Sequence, residues 1–367
     1  MKTCIAFPNK VATYSETFIT AHIKNLELDF SIASGWRPYL DLQEGSIFKF
    51  PMSCELIRVL VKNITPGTYS KLYDKSFANY LKNNQIGTVL AEYGITGVNI
   101  LNACKSTNTK LVVHFHGFDA FHYDIVRKYK DRYFEMFEYA KAIVVVSEDM
   151  KNQLVSLGAP PVKIFNVTCG IDIQKFYYSK PYNLSPVFIA VGRFALKKAP
   201  QITIRAFSRV LSEVPDAYLV MVGDGSLLKE CRKLADELDI NNNITFKGVL
   251  KPDEIIACLK KSSCFVQHSV RSTDGDSEGL PVSILEAAAC GLPIISTFHA
   301  GIKEAVRHGV SGYLTNEGDE IQMANYMIEL AKNPELAYKM GLKGRELVAG
   351  NYNSEKQIKE LKDIILR

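Results

Sequence analysis

The chain has no hydrophobic run approaching the length that spans a bilayer, and its opening, Met1-Lys2-Thr3-Cys4-Ile5-Ala6-Phe7-Pro8, lacks the apolar core of a signal peptide. These absences predict a cytosolic protein that meets a membrane only from its surface, at the inner face. Cys-x-x-Cys pairs and cysteines with close histidine partners are also missing. The eight cysteines (Cys4, Cys54, Cys104, Cys169, Cys231, Cys258, Cys264 and Cys290) are scattered, which argues against a disulfide frame or a zinc site and predicts free thiols in a reducing compartment. An excess of one charge is lacking too. The 44 Lys and Arg against 39 Asp and Glu leave a formal charge of +5 with no long basic run, which argues against nucleic acid as a partner and leaves an anionic membrane surface open.

What is present is length and alternation. At 367 residues, 47% of them hydrophobic, the chain can build two domains, each with a core. Short apolar runs alternate with amphipathic segments, the pattern of an α/β sheet flanked by helices. The first half reads as strands over 3–7, 111–115 and 142–146 with helices over 18–28 and 124–140. The second reads as strands over 187–191, 218–222 and 244–248 with helices over 199–211 and 226–238. Residues 354–367 form a last amphipathic helix. Gly158-Ala159-Pro160-Pro161 opens a punctuated region, and Thr168-Cys169-Gly170-Ile171-Asp172 continues it toward Pro186, placing a domain crossing within 168–185.

Three segments of the second half carry chemistry. In Ser277-Glu278-Gly279-Leu280-Pro281-Val282-Ser283-Ile284-Leu285-Glu286, Pro281 suits a first helical position and the apolar run to Cys290-Gly291 is a helix with its stop. Glu278 then lies before the helix and Glu286 inside it, roughly 10 Å apart, with free backbone N–H groups between them. Such a helix start binds phosphate, and flanking carboxylates accept hydrogen bonds from sugar hydroxyls, a geometry suited to a nucleotide sugar. Alone, the pair would read as an acidic helix cap. Gly192-Arg193-Phe194-Ala195-Leu196-Lys197-Lys198 adds a cationic loop after a strand, and Gly223-Asp224-Gly225 a glycine turn after the next.

Together these residues resemble the family 4 glycosyltransferases of GT-B fold, in the family's order and at its spacing. The resemblance implies two Rossmann-like domains facing each other across a cleft. Residues 1–168 would form the acceptor domain, 169–185 a linker and 186–353 the donor domain, with the helix 354–367 packing back on the first. It implies a retaining transferase that moves a hexose from a nucleoside diphosphate sugar, UDP before GDP, to a glycan or lipid-linked glycan. No cofactor and no metal are implied, because Arg193 and Lys198 grip the diphosphate in place of a cation. By the same resemblance Glu278 holds the sugar hydroxyls and Glu286 the ribose. Pro281, where many relatives have glycine, donates no N–H, so backbone donation falls to Gly279, Leu280, Val282 and Ser283. Phe246-Lys247-Gly248-Val249 is similar to the segment whose backbone reads the base, with Val249 as the candidate; a plain core role for Val249 stays open.

In the first half, His114-Phe115-His116-Gly117-Phe118-Asp119 resembles the loop that faces the donor sugar. His116 would contact the sugar and Asp119 would orient its ring. Ser15, Glu16 and Thr17 lie on the acceptor side or cap the following helix. The Ser-Glu-Thr-Phe string is similar to the subgroup that builds exopolysaccharides of the colanic-acid type, and Lys10-Val11-Ala12-Thr13 stands where many members have a glycine-rich loop. Across 58–85, Lys62, Lys71, Lys75 and Lys82 mix with Leu60, Tyr69, Leu72, Tyr73, Phe77, Tyr80 and Leu81. That stretch is either a face for anionic lipid or a solvated helix over the core. Asp274-Gly275-Asp276 reads as a turn rather than a metal-holding Asp-x-Asp. Two rival functions remain: a GT-B sugar-nucleotide epimerase or isomerase, and a non-catalytic or NAD-binding module suggested by Gly223-x-Gly225, which lacks the third glycine of a dinucleotide fingerprint.

Overall fold

The computed structural model describes residues 2–9, 16–38, 40–42, 45–47, 66–176 and 186–367. The chain divides into two compact units, Met1–Val167 with Ile358–Arg367, and Thr168–Gln357. No described helix is long and apolar enough to cross a membrane.

The first unit is built on one sheet. Its strands are β1 (Lys2–Phe7), β2 (Phe30–Ser34), β3 (Leu40–Asp41), β4 (Gly45–Ser46), β5 (Ile86–Glu92), β6 (Lys110–His114), β7 (Ala142–Val145) and β8 (Ile164–Asn166), in the order β4-β3-β2-β1-β5-β6-β7-β8. All neighbours from β2 to β8 pair in parallel, and the two short edge strands β3 and β4 are antiparallel. The inner strands carry near-continuous β-branched and aliphatic runs because a parallel sheet is covered on both faces. The chain winds outward from β1 to β2 and then returns to β5 on β1's other side. The carboxyl ends of β1 and β5 therefore flank the switch point, where open α/β sheets bind ligands. The helix Ser354–Leu366 completes this core: Leu361, Ile364 and Ile365 pack with Ile5, Leu26, Leu90, Val112 and Val144.

The helix Pro66–Asn83 settles the basic and aromatic stretch. Tyr73, Phe77, Tyr80 and Leu81 are buried, and Tyr80 donates to Asp41 at 2.5 Å. Among the described apolar side chains of this helix, Leu72 alone joins Lys71, Lys75 and Lys82 on the exposed side. Of the two readings of this stretch, the described residues follow the solvated helix over the core, because the helix turns its aromatic stripe onto the sheet unit and its lysines to water. Leu60 and Lys62 lie outside the described residues, as do the side chain of Tyr69 and residues 10–15.

The second unit is a six-stranded, all-parallel sheet of β9 (Val187–Val191), β10 (Tyr218–Val222), β11 (Ile244–Phe246), β12 (Cys264–Val266), β13 (Ile294–Thr297) and β14 (Gly312–Thr315), ordered β11-β10-β9-β12-β13-β14. Its switch point lies between β9 and β12. The loops after β9 and β10 pack on each other through glycine. Gly223 has φ +133, and a Cβ there would sit 2.0 Å from the Gly192 carbonyl oxygen; Gly225 has φ +156 and would meet the Phe194 oxygen at 2.5 Å. Close backbone approach accounts for the Gly-Asp-Gly turn without a dinucleotide. The segment after Thr168 is pinned within the same unit: Ile171 donates its N–H to Tyr352 at 2.7 Å and accepts from Ser354 at 3.0 Å. Seven cysteines are free among the described residues, five of them buried.

The helix Pro334–Asn351 crosses beneath the β13 loop at Gly341, where a Cβ would lie 1.8 Å from the Gly291 carbonyl oxygen. Helix propensity alone favours alanine there by about 1 kcal/mol, whereas overpacking costs about 1–3 kcal/mol. Gly341→Ala is therefore expected to destabilise by about 1 kcal/mol net in urea unfolding. A stabilised variant would show that the backbones are not in contact.

Candidate active site

The second unit's site grows from the loop after β9. Gly192 donates to Val222 at 3.0 Å and Phe194 to Asp224 at 3.0 Å, so the loop is held against the β10 turn. A single 3-10 turn, Leu196–Lys198, then delivers two adjacent lysines to different partners. Lys197 is buried, and its ammonium reaches Asp276 Oδ1 at 3.0 Å and the Ser277 carbonyl at 3.1 Å. Lys198 meets Glu278 Oε1 at 3.1 Å and Gln267 Oε1 at 3.2 Å. Ala199 follows in the left-handed region at φ +35, and Pro200 opens the next helix. Arg193 is exposed and lines the same cavity as Gly192, Lys198 and Gln267.

The electrostatics follow from burial. Desolvation pushes the Glu278 carboxyl up, but the ammonium groups of Lys198 and then Lys197 outweigh it and hold the carboxyl below its ordinary range. Burial pulls the Lys198 ammonium down, and Glu278 offsets part of that. The site keeps a preformed ion pair, with Arg193 adding a net positive charge beside it.

The approach to Glu278 is fixed from behind by residues that sequence reasoning missed. His299 Nε2 accepts from the Glu278 N–H at 3.2 Å and lies 3.0 Å from Ser277 Oγ, while its Nδ1 lies 2.5 Å from Glu317 Oε1. Because Nε2 accepts, the proton sits on Nδ1 and faces the carboxylate, which assigns one tautomer. The only sequence signal for His299 was its place just after a strand. Gln267, which also accepts from Ser283 Oγ at 3.4 Å, gave no more than that. Asp274-Gly275-Asp276 is a turn: Gly275 donates to Ser272 at 2.8 Å, Asp276 to Asp274 Oδ1 at 3.1 Å, and Ser272 Oγ bonds the Asp274 carboxylate.

The helix Val282–Ala289 starts one residue later than expected. Pro281 is its N-cap, at φ −64 and ψ 116, rather than its first helical residue. The first-turn N–H groups of Val282 and Ser283 have no intrahelical acceptor. Gly279 and Leu280 lie just before this start, Gly279 using its carbonyl to accept from Gly301 at 3.0 Å. Ile284, Leu285 and Ala287 through Ala289 anchor the helix in the core, leaving Glu286 half-buried on its rim. Burial raises the Glu286 carboxyl to about 7, with Lys175 opposing. Val249 is 48% exposed, which removes its core alternative.

The first unit gathers its own polar groups at its switch point. Glu16 is buried, and both its oxygens accept from Asn9 Nδ2 at 2.8 Å while Tyr93 Oη donates to Oε1 at 3.0 Å. Glu16 occupies the N-cap position of the helix Thr17–Asn25 without capping through its side chain. Ser15 and the Thr17 side chain lie outside the described residues. Asp119 corrects its assigned role. It is fully buried, and its oxygens accept the backbone N–H groups of His116 at 3.0 Å, Gly117 at 3.1 Å and Gly94 at 2.7 Å. It shapes the loop and does not orient the His116 ring, whose Nε2 instead lies 2.7 Å from Glu92 Oε2. Three backbone donors converge on Asp119 because a buried carboxylate must be saturated with hydrogen bonds.

Two parallel-sheet units in one chain, each with polar groups at its own switch point, make this a GT-B protein. HepE from Anabaena, solved in complex with UDP and glucose, has the same fold, with a TM-score of 0.79 and 16% identity over 99% of this chain and 98% of that one. Residues 178–347 match the family model of glycosyl transferases group 1, and residues 41–175 match that of Glycosyltransferase Family 4. The chain belongs to this family of glycosyltransferases. Among its relatives, AmsK of Erwinia amylovora, an amylovoran biosynthesis glycosyltransferase, is 29% identical over 283 residues, 76% of this chain and 69% of AmsK. WcaL of Salmonella typhimurium, assigned to colanic acid biosynthesis, is 27% identical over 281 residues, 75% and 69% of the two chains. The N-acetyl-alpha-D-glucosaminyl L-malate synthase of Bacillus anthracis is 31% identical over 236 residues, 62% and 60%.

Glu286 yields a pH prediction. With a folded pKa of about 7 against 4.5 unfolded, the folded chain holds the extra proton between those values, so this group's contribution to stability falls as pH rises from 4.5 to 7. Glu286→Gln should therefore gain stability relative to the parent between pH 5 and pH 7.5 in urea unfolding. Parallel pH profiles for the two proteins would show that this carboxyl is not raised.

Proposed function

We propose that the protein is a retaining, metal-independent hexosyltransferase. It would take a hexose from a UDP-sugar, with GDP-sugar as the competing donor, and transfer it to a glycan or lipid-linked glycan in the synthesis of bacterial surface polysaccharide. The observation that carries this reading is the preformed Lys198–Glu278 pair at the β9–β12 switch point, beside exposed Arg193 and the start of the helix Val282–Ala289. When a donor enters, its diphosphate can replace Glu278 as the partner of Lys198, and Glu278 is then free to accept hydrogen bonds from sugar hydroxyls. Arg193, Lys198 and the first-turn N–H groups of Val282 and Ser283, with those of Gly279 and Leu280, stabilise the charge that grows on the leaving diphosphate. That is the task a divalent cation performs elsewhere. The carboxylates of Asp274 and Asp276 are engaged with Ser272 and Lys197, which supports reading them as structure.

Glu286 would hold the ribose hydroxyls and Val249 would lie beside the base. His116 would bond the sugar being transferred. In the reaction the acceptor oxygen attacks the anomeric carbon on the face from which the diphosphate departs. The bond between that carbon and the phosphate oxygen breaks, and the acceptor's proton passes to the departing phosphate. The names of AmsK and WcaL support an exopolysaccharide product, and HepE, captured with UDP and glucose, supports a UDP-hexose donor. Free buried thiols fit a reducing, cytosolic compartment.

Glu278→Ala and Lys198→Ala are each expected to cut transfer by at least about tenfold, a barrier increase of roughly 1.4 kcal/mol, while the protein stays folded. UDP should raise the melting temperature more than GDP or ADP. Transfer should persist in excess chelator, and loss in chelator with rescue by manganese would defeat the metal-independent reading.

A further inference from the structure

The first unit hides a carboxylate that the reading above does not use. Glu92 ends β5 with no solvent exposure, and three histidines surround it. His22 Nδ1, from the helix Thr17–Asn25, lies 2.6 Å from Oε1, and His116 Nε2 lies 2.7 Å from Oε2. His114, opposite Glu92 in the β5–β6 register, keeps its Nδ1 at 3.7 Å from Oε2, beyond hydrogen-bond reach. Burial pushes the Glu92 carboxyl up, but His22 and His116 outweigh it and hold it well below the ordinary range. An ionised carboxylate can only accept, so His22 Nδ1 and His116 Nε2 each carry a proton. Burial keeps His114 neutral.

The consequence falls on His116. With Nε2–H committed to Glu92, the ring has one nitrogen left, Nδ1, and no hydrogen bond to it is made among the described residues. Its plane is fixed as well: Phe18 stacks on it at 3.9 Å and 25°, and Tyr93 meets it edge-on at 5.0 Å and 64°. Phe18 and His22 are four residues apart on one helix, so a single helix face supplies both the stacking ring and the second partner of Glu92. Tyr93 itself stands at φ +73, an unusual backbone for a residue with a side chain.

We propose that Glu92 is a positioning residue for His116: by accepting Nε2–H it fixes the tautomer and plane of the ring, so that Nδ1 is the atom presented to a hydroxyl of the transferred sugar. This rests on the reading that His116 touches that sugar. His22, Glu92 and His114 also offer donor atoms within 4.8 Å of one another, the spacing of a metal site. The 2.6 Å separation of His22 Nδ1 and Glu92 Oε1 favours a shared proton instead, because two ligands each about 2.0 Å from a tetrahedral zinc stand about 3.3 Å apart.

Glu92→Gln separates the possibilities, since a carboxamide offers one acceptor and one donor face and cannot accept from both rings. It is expected to lower kcat for transfer by at least about tenfold, and to cost less than about twofold when made in a His116→Ala background. An equal loss in both backgrounds would overturn the proposal, because Glu92 would then act through the fold and not through His116. Histidine nitrogen NMR of the unaltered protein tests the same claim without any folding risk: the resonances lost in His116→Ala should report Nε2–H. A bare Nε2 overturns the proposal, as does stoichiometric zinc in the purified protein that Glu92→Gln removes. Undiminished transfer by His116→Ala would instead remove the sugar contact on which the proposal rests.

Discussion

The site depends on keeping two opposite charges, Lys198 and Glu278, close together and partly out of water before any ligand arrives. Lone burial of either would shift its protonation and neutralise it, so the pair can exist only if both backbones are fixed. The structure fixes them separately. Lys198 is held by the glycine contact between the loops after β9 and β10. Glu278 is held by Lys197, which grips Asp276 and the Ser277 carbonyl, and by His299, which takes its N–H. Adjacent lysines thus do different work: Lys197 ties down the loop, and Lys198 pairs with Glu278 beside the cavity.

Backbone conformation repeats the pattern. Among the described residues, the non-glycine positions with positive φ are Glu27, Gln85, Tyr93, Asn108, Ala199, Asp239 and Ala300. Glu27, Gln85, Asn108 and Asp239 end helices, where the left-handed region is an ordinary stop. Tyr93, Ala199 and Ala300 follow Glu92, Lys198 and His299. Strain of this kind persists only where surrounding contacts overdetermine the chain, and here all three positions lie at or just before a helix N-cap.

The strands at 187–191 and 218–222 and the helices around them were legible because alternation and apolar periodicity are local properties of a few consecutive residues. The loop bearing Arg193 and Lys198, and the two glutamates around the helix Val282–Ala289, were legible for a related reason: βα loops at strand ends keep their order along the chain. The aromatic stretch of Pro66–Asn83 was ambiguous, since a stripe of Tyr and Phe suits a lipid surface and a sheet face equally, and only packing chose the sheet. Asp119 was placed near the right ring and given the wrong task. Proximity in sequence to His116 could not reveal that the carboxylate faces three backbone N–H groups.

Read alone, the amino-acid order determined several elements of each half, the two-unit α/β class and the placing of a cationic loop and two glutamates at strand and helix ends, all of which are written in short-range patterns. Tertiary structure alone decided which distant groups meet within each unit. His22 and Glu92 are 70 residues apart, and Lys197 and Asp276 are 79 apart. Such partners meet because parallel strands bring distant strand ends to one edge of a sheet, and no local pattern encodes which side chains then share a hydrogen bond.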